Sequence, residues 1–244
     1  MKKHLIILLT SAVLFSGCGK SPDQLLESGL ESKKNSEYQA AIQTFESLLT
    51  NHKSHPLALT ANYEIARIYL DNLKEYSNGY NTLQNIVEKY GDTEIGENAR
   101  KDLAHFPQWL MNQAETTRGA KDMTDAVNIL EYLVLDFSSD EIAPKAQYLI
   151  GDIYNNDLRD FDKAISAYRE VITNYQGSVQ EPHAQFMVAY IYANVLNNIE
   201  KAQKEYQVFL DKYPGHELIP SVKFEMDYLG KDVNEIPTLK RITS

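Results

Sequence analysis

Few side chains in these 244 residues have a type and spacing that could support covalent or metal chemistry. His52 and His55 stand three apart, but no further histidine, cysteine or paired carboxylate joins them in a metal-binding spacing. A solvated turn is the other reading of that pair. Asp160 and Asp162 could act as acid and base in glycoside hydrolysis. They fall between two helical patterns, however, where capping the second helix accounts for them. His105, His183 and His216 occur singly near helix starts or turns, and His4 lies in the leader. No Gly-x-Ser-x-Gly, His-Glu-x-x-His, Walker-type loop or Gly-x-Gly-x-x-Gly occurs. The expectation is a protein without catalytic residues, metal, cofactor or small-molecule substrate.

The remaining reactive group is the single cysteine, Cys18. Lys2 and Lys3 give a positive start, Leu5 to Phe15 an apolar stretch, and Phe15, Ser16, Gly17 and Cys18 a small-residue site. This reads as an export signal over 1–17. A stretch of eleven residues falls short of the roughly 20 that span a bilayer as a helix. The four residues resemble a bacterial lipobox, with Phe15 where Leu is more usual. The resemblance implies that Cys18 is acylated and becomes the first residue of a lipid-anchored protein, with 18–21 as a short tether. Several acyl chains make attachment durable where one would not. The alternative is a plain secretory signal with an incidental cysteine. In lipoproteins an aspartate after the cysteine signals inner-membrane retention; Gly19 holds that place, which implies sorting to the periplasmic face of the outer membrane.

What must position any functional surface is a repeat. With Ala41, Gly79, Ala126, Ala164 and Ala202 aligned, Phe45, Leu83, Leu130, Tyr168 and Tyr206 follow four residues on, and Leu48, Ile86, Leu133, Val171 and Phe209 seven on. The steps are 38, 47, 38 and 38 residues. The preceding segments repeat too, through Ala61, Ala146 and Ala184, the small residues Ala66, Gly151 and Ala189, and the rings Tyr69, Tyr154 and Tyr192. Apolar spacings of three and four predict two helices per unit. The long third step contains Pro107, which predicts a break or kink. After Pro214, Val222, Phe224 and Met226 continue the register for half a unit, as a lone terminal helix ended by Gly230.

These residues resemble the tetratricopeptide repeat over about Pro22 to Gly230, with a longer period and with Asn62, Gln147 or Gln185 at the position where that family carries Trp. The resemblance implies an all-α, right-handed α-α superhelix of about five helix pairs plus a C-terminal capping helix over 22–230. A polar tail with Val233, Ile236, Leu239 and Ile242 then occupies 231–244.

In this family the first helices line the inner curve. By resemblance the partner-binding groove takes Tyr63, Arg67, Tyr148, Asp152, Asn155, Phe186, Tyr190 and Asn194. Rings beside amides suit an extended peptide or a partner helix. A ring recurring at one repeat position also serves packing between neighbours, whereas packing does not demand Asn155, Asn194 or Arg67. The net charge of −10 disfavours nucleic acid. In layout the chain is similar to the lipoprotein subunits of the outer-membrane β-barrel assembly machinery. That implies a non-enzymatic, membrane-anchored adaptor for envelope proteins. The alternative is a Tol-Pal or peptidoglycan and division coordinator, whose repeats are similar but follow a coiled coil. An envelope enzyme is the third reading.

Overall fold

Five residues just ahead of each aligned small residue, the backbone enters the left-handed region: Ser36, Lys74, Lys121, Arg159 and Asn197 have φ between 49° and 67°. Their spacing reproduces the repeat steps, the long one included, so a left-handed residue recurs at one position of each unit. The computed structural model describes residues 19–231; the predicted signal, Cys18 and nearly all of the tail lie outside them. Among the described residues there are helices and no strands, and no helix is long and apolar enough to cross a membrane.

The helices are α1 (Pro22–Lys34), α2 (Tyr38–Asn51), α3 (Pro56–Arg67), α4 (Tyr76–Tyr90), α5 (Glu94–Ala104), α6 (Phe106–Gly119), α7 (Met123–Asp136), α8 (Ala143–Asp152), α9 (Phe161–Asn174), α10 (Gln180–Asn194), α11 (Ile199–Lys212) and α12 (Ile219–Tyr228). They form five pairs, α1/α2, α3/α4, α6/α7, α8/α9 and α10/α11, in accord with the repeat, with α5 and α12 single. The chain divides into two compact units, residues 1–104 and 105–244. In the first, α5 packs on α4; in the second, α12 packs on α11. Each unit therefore finishes in one unpaired helix. The expected terminal helix is α12, and α5 is a second such helix that the sequence reading did not separate. Pro107 marks the division: it stands in the first turn of α6, where a missing N–H costs nothing, and the helical path breaks at His105.

The turn that closes each pair comes in two lengths. In α1/α2 and α6/α7 the closing bonds span five residues, Glu37 N–H to Ser32 O and Asp122 N–H to Thr117 O. In the other three they span six: Glu75 to Tyr69, Asp160 to Tyr154 and Asn198 to Tyr192. The additional residue is taken up by π-helical turns at Ile68–Leu73 and Ile153–Leu158, and by the Leu196 N–H to Ile191 O bond at the end of α10. This is why Gly29 precedes Ala41 by twelve residues but Gly151 precedes Ala164 by thirteen. Asp122, Asp160 and Asn198 then cap the second helices, each accepting an N–H at 3.1 Å, which is the role foreseen for Asp160. Ser21 and Gln24 form a capping box on α1.

The three aligned columns of the second helices are buried throughout, most of them fully. The small residues of the first helices face these rings closely: a Cβ on Gly29 would lie 2.3 Å from the Phe45 ring, and one on Gly151 2.6 Å from Tyr168. Burial of each large side chain stabilises by about 1.5–3 kcal/mol. Gln147 and Gln185, at the family's Trp position, are buried and donate to the Ala167 and Glu205 carbonyls at 3.2 and 3.1 Å.

Candidate partner-binding groove

In the second unit, α6, α8 and the start of α10 enclose an open groove of about 320 Å³. Its lining joins Met111 of α6, Tyr148, Leu149 and Asp152 of α8, and Val179 and His183 at the head of α10. Met111 is fully buried, and Val179 is 75% exposed, so a dry floor is flanked by an apolar side chain in water. Glu115 and Lys145 make an exposed ion pair at 3.5 Å, also in the lining.

Asp152 is engaged from below. The Tyr168 hydroxyl donates to its Oδ1 at 2.6 Å, and the Tyr148 and Tyr168 ring centroids are 5.1 Å apart. Burial pushes the Asp152 carboxyl above the usual carboxylate range, against the lowering effect of the Tyr168 bond and of Arg118. Burial, and then the Asp152 charge, raise the Tyr148 phenol. Arg118 of α6 holds Asp157, in the π turn after α8, through Nε at 2.7 Å. These groups fix the wall, and the groove's free surface is mostly apolar, with the Glu115–Lys145 pair as its exposed charge. Such a lining can bury apolar side chains of a ligand.

The eight residues expected along one inner curve fall in separate places. Tyr148 and Asp152 line this groove. Asn155 is buried within the π turn, its amide bonded to Asn156 at 2.8 Å. Phe186, Tyr190 and Asn194 lie along α10: Phe186 stacks near Tyr190 with centroids 6.0 Å apart, and Asn194 donates to Glu225 of α12 at 3.0 Å. Tyr63 and Arg67 belong to the first unit. Tyr63 donates to Asp102 of α5 at 2.6 Å, and Arg67 pairs with Asp71 at 2.9 Å. Burial first, and the bond to Asp102 second, push the Tyr63 phenol up to about 12.

Several of these side chains therefore tie one first helix to the next. Asp102 and Glu225, their partners, were not foreseen, nor were Met111, Leu149, Val179 and His183 in the groove. One signal was present: Tyr63 to Asp102 and Arg118 to Asp157 share a separation of 39 residues, close to the repeat step. His52 and His55 serve the backbone: His52 Nε2 lies 3.3 Å from the Lys20 carbonyl, and His55 Nδ1 accepts the Leu57 N–H. Among the described residues no three His, Cys, Asp or Glu side chains converge as a metal site.

The family model described as tetratricopeptide repeat matches residues 145–178 and 183–216, which span α8/α9 and α10/α11. A tetratricopeptide repeat protein from Parabacteroides merdae aligns over 86% of this chain and 73% of its own, at 12% identity and a TM-score of 0.36. MamA protein aligns over 82% and 98%, at 15% identity and a TM-score of 0.32. A thermophilic tetratricopeptide-repeat protein of Thermus thermophilus aligns over 85% and 97%, at 19% identity and a TM-score of 0.33. No curated protein matches the chain.

Proposed function

We propose that this chain, which carries tetratricopeptide repeats, is a non-enzymatic adaptor of the bacterial cell envelope, anchored through lipid on Cys18 and acting in outer-membrane protein assembly. The groove between α6, α8 and α10 is the observation that carries the binding role. An extended segment of an envelope protein places aliphatic side chains against Leu149 and Val179, while Tyr148 supplies a ring of low rotamer entropy. The leader sequence and Gly19 support the anchored, outer-membrane location, and the layout of the repeats supports the assembly role.

A photo-cross-linking residue at Val179 tests the reading in cells. Trapping of outer-membrane barrel precursors or their assembly partners is the expected result, together with reduced barrel levels on depletion of the protein. With the cross-linking residue moved to His183, in the same lining, Val179→Asp should weaken capture by about tenfold, from the loss of one buried aliphatic contact. Division and envelope-integrity defects with unchanged barrel levels would instead favour the coordinator role.

A further inference from the structure

A second cleft, unrelated to the groove just described, occurs at equivalent positions in both units, and only one copy carries cations. In the first unit it measures about 740 Å³ and is built from the ends of α2 and α4 and the starts of α3 and α5. In the second it measures about 720 Å³ and lies among α7, α8 and α9. Leu49, Asn62 and Tyr90 of the first correspond to Val134, Gln147 and Tyr175 of the second, each 85 residues later. The cleft is therefore a product of the repeat itself.

The second cleft has no lining residue from α10, the counterpart of α5, and the charges differ as well. Lys53 and Lys89 line the first cleft, and residues 85 later in the second are Ser138 and Asn174. Both lysines are exposed, and neither has an ion-pair partner among the described residues. Glu94 is the one acidic side chain in that lining, whereas Glu131 is the acid in the other. In a chain of net charge −10, two ammonium groups against the single carboxylate of that lining, beside Leu57, Tyr90 and Ile95, form a locally positive, partly apolar surface. We infer that the first-unit cleft docks an acidic, amphipathic segment of a partner protein, its carboxylates on Lys53 and Lys89 and its apolar side chains against Leu57, Tyr90 and Ile95.

The probe is a capped hexapeptide alternating glutamate with leucine and phenylalanine, titrated into the full chain and followed by amide shifts. Shifts should centre on Leu57, Tyr90 and Ile95, and affinity should fall with added salt. Lys53→Glu with Lys89→Glu should weaken binding at least about fivefold while leaving the helical circular dichroism unchanged. Ser138→Lys with Asn174→Lys should give the second-unit cleft a measurable affinity for the same peptide. Equal binding of a peptide with lysine in place of glutamate, insensitivity to the double reversal, shifts confined to the α6/α8/α10 groove, or no binding at millimolar peptide would each overturn the inference. Val179→Asp leaves this titration unchanged, so failure here is distinct from failure of the proposed function.

Discussion

Gly79 stands where its four repeat counterparts carry alanine, and the reason is a neighbour. A Cβ there would lie 2.4 Å from the Leu70 side chain, which the π turn after α3 brings over it. Gly79→Ala should therefore cost about 1–3 kcal/mol from overpacking. Adding Leu70→Ala should recover part of the loss, a non-additivity read from denaturant unfolding of the two single variants and the double. Two carboxyls, Asp152 half-buried and Glu181 buried, should leave opposite marks on pH dependence. Burial raises Asp152, so between its unfolded and folded values the native state holds the extra proton, and its effect on stability becomes less favourable as pH rises through that window. Asp152→Asn should remove this slope and remain within about 1 kcal/mol of the parent at neutral pH, since Tyr168 keeps an acceptor. Burial also acts to raise Glu181, but Lys212 and the Gly177 N–H outweigh it and hold the carboxyl below its ordinary value. Its stabilisation is present above the unfolded value and is lost as pH falls through the folded one. Glu181→Gln should flatten that acid limb in urea unfolding followed against pH.

At the scale of the element, the five repeated turns set the terms. A non-glycine residue in the left-handed region is held at a cost of about 1–2 kcal/mol. Lys121→Gly should thus raise stability by a few tenths to about 1 kcal/mol, the entropy of glycine offsetting part of the gain, and Lys121→Val should lower it. One residue on, Asp122→Ala should cost about 1 kcal/mol by removing the cap of α7. Thermal unfolding of these three variants distinguishes backbone strain from capping. Asp160 was readable as a cap because helix starts favour such side chains; Asp122 and Asn198, at the same repeat position, were not singled out. The π turns left only a spacing of thirteen residues from Gly151 to Ala164 against twelve from Gly29 to Ala41, which does not say where the additional residue goes; the bond pattern from Tyr69, Tyr154 and Tyr192 places it.

For the whole molecule, the proposed anchor and the proposed groove are separable. Cys18→Ser should release the protein from membranes and abolish metabolic labelling with palmitate, while purified protein retains capture through Val179. Persistence in the membrane fraction without label would remove the lipid anchor from the reading. Several of the expected groove residues are instead spent on stitching neighbouring first helices: Tyr63 to Asp102 and Asn194 to Glu225 are ties within a unit. The open surface comes from residues such as Val179 and Leu149, which no repeat column singled out.

The amino-acid order alone determined the helix pairs, their steps and the buried columns, because a side chain that must be buried at every repeat returns at every repeat. It also marked a break or kink at Pro107, since a ring without an N–H disrupts a helix anywhere beyond its first turn. Which polar residues face a partner was decided by the fold. A tyrosine or aspartate at a given helical position carries the same local signal whether it meets water or a carboxylate 39 residues away. The division after Ala104, the charge contrast between two equivalent clefts and the groove above Met111 arise only when separate segments are brought together.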